Sequence, residues 1–398
     1  MTPPNAAHGS DLTSAPVARR DWLLLPVIGL ATIVVLAVAM ELIARRLLST
    51  TTTSFDDCLV VSEPATGIRG IPNSVCTEKI MESPLVEYRL DGAGFRSAPI
   101  SKPKPQGVYR IVLIGSSLAI GERVQMDQTL AALLPAELAR RSGRTVELYN
   151  EGMAYGFPRN AALRVDAALA ADPDLILWLL TPTDIEKIRF EYTTTSYNKP
   201  SAPEGRVAAL KNAVLARIRK GGGTIVIGNA LRHWLYGLQS QNQYVHSYLL
   251  NKSEDSEAGF LRAALSAEWK ARVKELGTYT AEISSKARAA GVPLIATLTP
   301  NRAQAAMISL GAWPAGFDPY RFGNELRSEV TRNGGVFVDI LPGFRSLPSP
   351  ERFFLPLDGH PDASGHAALA DLLANALGDA VPQVRAASGP SRDSVRGK

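Results

Sequence analysis

Short, nearly wholly apolar runs separated by segments of helical period constrain this chain more than any other feature. The runs are Tyr109 to Ile114 (YRIVLI), Asp174 to Leu180 (DLILWLL), Val292 to Leu298 and Val336 to Ile340, with a shorter strand at Val146 to Tyr149. A strand that is apolar on both faces must be covered on both faces, and a parallel sheet between two helical layers does this. Between the runs, Asp127 is a candidate cap for a helix with Leu130, Leu133, Leu134 and Leu138 at helical spacing, closed by Gly143. Further helices are predicted over 159–171, 266–290, near 318–333 and over 362–377. This order predicts an α/β fold with a five-stranded parallel sheet of flavodoxin-like topology. Such sheets bind ligands beyond the carboxyl ends of their strands.

The alternation breaks over residues 185–265, which read as a mainly helical insertion. It contains the flexible stretches TTTSYNKPSAPEG and NKSEDSE. Arg206 to Lys220 forms an amphipathic helix whose basic face is either solvated or laid on an anionic membrane surface. Trp234, Tyr236, Tyr244 and Tyr248 are either a lid or acyl groove, or packing for the insertion.

Trp22 to Met40 (WLLLPVIGLATIVVLAVAM) carries no charge and is long enough to cross a bilayer as a helix. Ala37-Val38-Ala39 also fits a signal-peptide cleavage pattern, so an uncleaved anchor and a cleaved leader both stand. In either case the remainder is expected to be exported. Cys58 and Cys76 are the only cysteines, and two cysteines in an exported segment usually pair. The net charge of +5 is spread along the chain without an arginine-rich helix or basic–aromatic repeat, so nucleic acid is not an expected partner. No cluster has metal-ligand spacing and no glycine-rich loop would cradle a phosphate, so no metal or cofactor is expected.

The chemically suggestive residues follow strands. After the first comes Gly115-Ser116-Ser117-Leu118-Ala119-Ile120-Gly121, where a serine at a tight strand-to-helix turn presents its hydroxyl above the sheet. After the last comes Asp358-Gly359-His360-Pro361. A serine nucleophile needs a base, and the base needs a carboxylate to hold its tautomer. Of the five histidines, His360 alone combines an adjacent carboxylate with a place on the carboxyl side of a strand; His366 falls within the last helix. Asn301-Arg302, after another strand, is a further candidate for substrate contact.

These blocks resemble the SGNH/GDSL hydrolase family over roughly 108–184 and 290–380. Gly115-Ser116-Ser117-Leu118 resembles the family's Gly-Asp-Ser-Leu, which implies Ser117 as nucleophile. Asn150-Glu151-Gly152 falls where the family has an oxyanion-hole glycine, implying Gly152 as a donor with the Ser117 N–H. Thr181-Pro182-Thr183-Asp184 falls where the family has Gly-x-Asn-Asp, which puts Thr183 in place of the Asn donor and leaves Asp184 structural. Ser116 stands where the family has Asp. Asn150 or Asn160 is an alternative source of the missing amide. Asp358 and His360 resemble the closing block, as orienter and base, and YRLDGAGFRS resembles the lead-in of exported members.

The resemblance implies a three-layer SGNH hydrolase fold and a Ser-His-Asp esterase acting on O-acyl or O-acetyl esters of a small molecule or polysaccharide. The same chemistry with a sugar hydroxyl as acceptor is an O-acyltransferase. A non-catalytic, glycan-binding scaffold is the alternative from another class. The expected organisation is a cytoplasmic tail (1–21), a transmembrane anchor (22–44), an irregular extracytoplasmic lead-in (45–107), the hydrolase-like domain (108–380) and a disordered tail (381–398). The site would face the periplasm in a Gram-negative cell.

Overall fold

A computed structural model describes residues 19–48, 53–61, 67–190, 226–250 and 258–380. The segment predicted as an amphipathic helix over 206–220, the stretches TTTSYNKPSAPEG and NKSEDSE, and residues 381–398 lie outside the described residues, as does most of the N-terminal tail.

Helix α1 (Arg19–Leu47) contains the uncharged run, and the described apolar side chains from Leu24 to Met40 are exposed. The lead-in is more regular than expected. A short helical turn, Phe55–Cys58, precedes two antiparallel ribbons, β1 (Leu59–Val61) with β2 (Ile68–Gly70) and β3 (Val75–Glu78) with β4 (Val86–Arg89). Strands this short leave almost no alternation to read. Cys58 and Cys76 are joined by a disulfide, with Cα atoms 6.0 Å apart, which ties the turn to β3.

The main sheet has five parallel strands in the order β6-β5-β7-β8-β9, where β5 is Tyr109–Ile114, β6 Val146–Asn150, β7 Leu175–Leu180, β8 Leu294–Leu298 and β9 Val336–Phe337. This is the expected flavodoxin-like order. The three central strands β5, β7 and β8 are buried at every position, as their unbroken apolar sequences require. β9 pairs over only two residues, shorter than its apolar run suggested, because the chain turns into a 3-10 helix at Leu341.

Helices α2 (Ser117–Ile120), α3 (Leu130–Ser142), α4 (Pro158–Leu169) and α5 (Pro182–Glu186) follow β5 to β7. α3 is capped by Thr129, whose hydroxyl accepts from the Ala132 N–H, and not by Asp127. The described part of the insertion holds α6 (Val226–Leu238) and α7 (Gln241–Leu250). Then come α8 (Ala267–Ala289), α9 (Arg302–Leu310), α10 (Arg321–Arg332) and α11 (Ala363–Ala380). α9 was not foreseen. It is alanine-rich, almost wholly buried and capped by Asn301, so it lacks the polar face that makes a helix legible in sequence. α11 packs on α3, where buried His366 accepts the Leu130 N–H through Nδ1 at 3.1 Å.

Candidate active site

The carboxyl ends of β5 and β7 and the loop before α11 converge on one cleft of about 700 Å³. β5 is followed by Gly115, whose φ is +151° and whose missing Cβ would sit 2.8 Å from the Leu179 carbonyl oxygen, so a side chain there would collide with β7. This close approach lets the chain turn at once into α2, with Ser117 as its first residue. An N–H at that position has no intrahelical acceptor and is available to an incoming oxyanion.

Three sequence-predicted residues form a hydrogen-bonded chain. Ser117 Oγ lies 2.8 Å from His360 Nε2, and His360 Nδ1 lies 2.5 Å from Asp358 Oδ1. The same Asp358 oxygen accepts the His360 N–H at 3.2 Å, which fixes the turn through Gly359. The imidazole therefore has one nitrogen on a carboxylate and the other on the serine hydroxyl.

Charged residues without a part in the sequence reading hold this chain. Arg123 Nε donates to Asp358 Oδ2 at 3.0 Å, and its guanidinium also pairs with Glu78 at the end of β3. Glu82 accepts the N–H groups of Leu357 (3.0 Å) and Asp358 (2.9 Å), and His233 of α6 lies 2.7 Å from its Oε1. Glu122, buried, places Oε2 3.8 Å from His360 Nε2. Glu122 and Arg123 lie just past the nucleophile block, where two charges in an otherwise apolar turn are a usable signal. Glu78 and Glu82 have none, since contacts so far apart in sequence leave no local trace.

These charges set the protonation states. Burial alone would raise Asp358, but the His360 hydrogen bond and the charges of His360 and Arg123 outweigh it and hold Asp358 well below the usual carboxylate range. Burial alone would lower His360, but the Asp358 hydrogen bond and the charges of Glu122 and Asp358 hold it above its ordinary value. Burial pushes Glu122 up. Burial likewise pushes Asp184 up to about 6, offset in part by the Ser116 hydroxyl and by Thr181.

The expected oxyanion donors divide. Thr183, on the first turn of α5, lines the cleft. Gly152 does not: its N–H donates to Asn150 Oδ1 at 2.9 Å, and it packs against α2, where a Cβ would come 2.6 Å from the Ile120 nitrogen. Its glycine is required by this contact. Asn150 is not a free amide either, because its Nδ2 donates to the Ala119 carbonyl at 2.9 Å. Asn160 lies outside the cleft, beside Arg164. Ala154 and Tyr155 line the cleft where Gly152 was expected, with Tyr155 at a φ of +58°. Ser116 is buried and turned to Asp184, a structural role. His366 is also structural.

One wall of the cleft is aromatic. Phe190 stacks on Tyr155 with ring centroids 6.3 Å apart, and Tyr236, Tyr244 and Tyr248 of the insertion lie on the same cavity. Trp234 is not among them and points outward, 59% exposed. Asn301 and Arg302 also border the cleft, with Arg302 held by the carbonyls of Glu351 (3.0 Å) and Pro356 (3.1 Å). Among the described residues no group of His, Cys, Asp and Glu is arranged to hold a metal ion.

No protein-family model and no curated protein sequence matches this chain. Among solved structures it is similar to TesA, at a TM-score of 0.36 and 14% identity over 69% of this chain and 99% of that one. It is also similar to the lipase/acylhydrolase from Enterococcus faecalis, at 0.35 and 14% over 68% and 96%. The lipase Lip_vut3 from a goat rumen metagenome gives 0.38 and 11% over 67% and 97%. Likeness at this level carries nothing about activity, which is argued from the geometry of the site.

Proposed function

We propose that the chain is a serine esterase of the SGNH/GDSL type, cleaving a carboxylic O-acyl ester. The observation that carries this reading is the Ser117–His360–Asp358 hydrogen-bond chain lining one cleft. Ser117 Oγ attacks the ester carbonyl carbon while His360 Nε2 takes its proton. The tetrahedral oxyanion is received by the Ser117 N–H, with the Thr183 hydroxyl as a second donor. Nε2 then returns the proton to the departing alkoxide, leaving an acyl-serine and a free alcohol. Water attacks the acyl carbon, gives its proton to Nε2, and Ser117 leaves as the hydroxyl. Asp358 stays ionised throughout, as its depressed pKa requires, and fixes the Nδ1–H tautomer.

The departures from the family pattern are compatible with this cycle. Ser116 serves the fold through Asp184, so its difference from the family's Asp does not remove a reacting group. A hydroxyl acceptor in place of water would make the same site an acyltransferase. The aromatic wall suits an acyl chain. We further propose that α1 anchors the chain and that the site lies outside the cytoplasm. The charge-free, exposed run of α1 and the Cys58–Cys76 disulfide support this, since disulfides persist in oxidising compartments.

The test is turnover of chromogenic acyl esters by the purified full chain, with alcohol and carboxylate both measured. Stoichiometric release of both, lost in Ser117→Ala, is the expected result. Alcohol release in excess of free acid, when a sugar hydroxyl is present, assigns transfer instead. Glycan binding without turnover of any ester would favour the scaffold reading and overturn this one.

A further inference from the structure

Helix α6 has two faces that serve different surroundings. Arg232 and Tyr236 border the cleft, and His233 reaches Glu82, which holds the backbone of Asp358. These three fall on one side of the helix at its 3.6-residue period. Leu231, Trp234, Leu235 and Leu238 fall on the other and are 51%, 59%, 45% and 63% exposed. No charged residue interrupts that stripe, and none of its side chains is buried by the described residues.

The start of α6 is fixed to α1. Glu41 accepts the N–H groups of Val226 and Ile227, each at 3.1 Å, through its two carboxylate oxygens. The two helices also touch elsewhere. Glu41 is the first charge after the uncharged run. At about 1.5 Å per residue, Trp22 to Met40 spans roughly 28 Å, which matches the hydrocarbon thickness of a bilayer. Glu41 therefore marks the level at which α1 leaves the apolar layer, and α6 begins at that level.

We propose that the outer stripe of α6 lies in the surface of the bilayer that α1 crosses, with Trp234 at the headgroup layer. This rests on α1 being a membrane anchor. An amphipathic helix lying in the interface buries its apolar face at the headgroup–acyl boundary, and tryptophan favours that depth. The helix that carries the stripe starts against α1, and its opposite face borders the cleft. The membrane is thus the surface on which one wall of the site rests. Through His233, Glu82 and Asp358 the seating of α6 is joined to the hydrogen-bond chain by direct contacts.

The experiment uses the full chain in phosphatidylcholine/phosphatidylglycerol vesicles. An environment-sensitive fluorophore is attached at Leu235→Cys, at Leu36→Cys within α1, and at Asp371→Cys, an exposed position of α11. Each protein is checked for unchanged near-ultraviolet circular dichroism, and quenching by lipids brominated along the acyl chain is read. The expected result is quenching and a blue-shifted emission at 235 and 36, with neither at 371. Quenching at 36 but not at 235 leaves the anchor standing and overturns the seating of α6. In that case, crosslinking between Leu235→Cys copies would show that a second chain covers the stripe. Absence of quenching at both 36 and 235 overturns the anchor and the seating with it.

Discussion

In the proposed cycle His360 is the residue whose protonation decides the chemistry. There its neutral form acts as the base, and its pKa is held above the ordinary value by Asp358 and Glu122. Activity should therefore fall as pH drops through a point above about 6.5, the unperturbed value for histidine. Glu122→Gln removes a carboxylate 3.8 Å from Nε2, so the acid limb of kcat/KM should move to lower pH. An unmoved limb would show that Glu122 does not act on the imidazole. Asp358→Asn should cost about 10⁴-fold in kcat, because an amide no longer fixes the Nδ1–H tautomer. Ser117, His360 and Asp358 were legible as candidates in the sequence, because Ser117 follows directly on an apolar strand and the family blocks keep their order. Gly152 was misplaced because a glycine after a strand reads the same whether its N–H faces a ligand or its bare Cα faces a helix. Sequence does not distinguish these two uses.

At the scale of elements, two attachments decide how well the site is held. Burial lowers the His366 pKa to about 3 in the α3–α11 contact, while the unfolded chain titrates near 6.5. The unfolded state then takes up a proton that the folded state refuses. Stability is full above pH 6.5 and declines toward pH 3, by up to about 4 kcal/mol. Thermal melts between pH 7 and 4 should show this slope, and His366→Asn should flatten it. The lead-in is the second attachment, since it supplies Glu78 to Arg123. The disulfide closes a loop of sequence separation 18, worth about 3 kcal/mol by chain-entropy reckoning. Replacing both cysteines by serine should lower the denaturant midpoint accordingly and reduce kcat, as Glu78 loses its fixed position. The main sheet was legible because its strands are apolar without interruption. The lead-in ribbons were not, being three or four residues long, and α9 was not, being buried all round.

The whole molecule joins an apolar helix to the α/β unit that carries the cleft through Glu41 and α6. If α1 is an uncleaved anchor, the chain should stay with membranes after alkaline carbonate and leave them only with detergent. Release by carbonate alone would contradict the anchor, while leaving the chemistry of the cleft untouched. The most direct test of the central claim is labelling of the detergent-purified chain by a fluorophosphonate, followed by mass spectrometry of the modified peptide. The account predicts one adduct, on Ser117, absent from Ser117→Ala and His360→Ala. A folded chain that takes no label, or takes it at another serine, would contradict the assignment of Ser117 as an activated nucleophile.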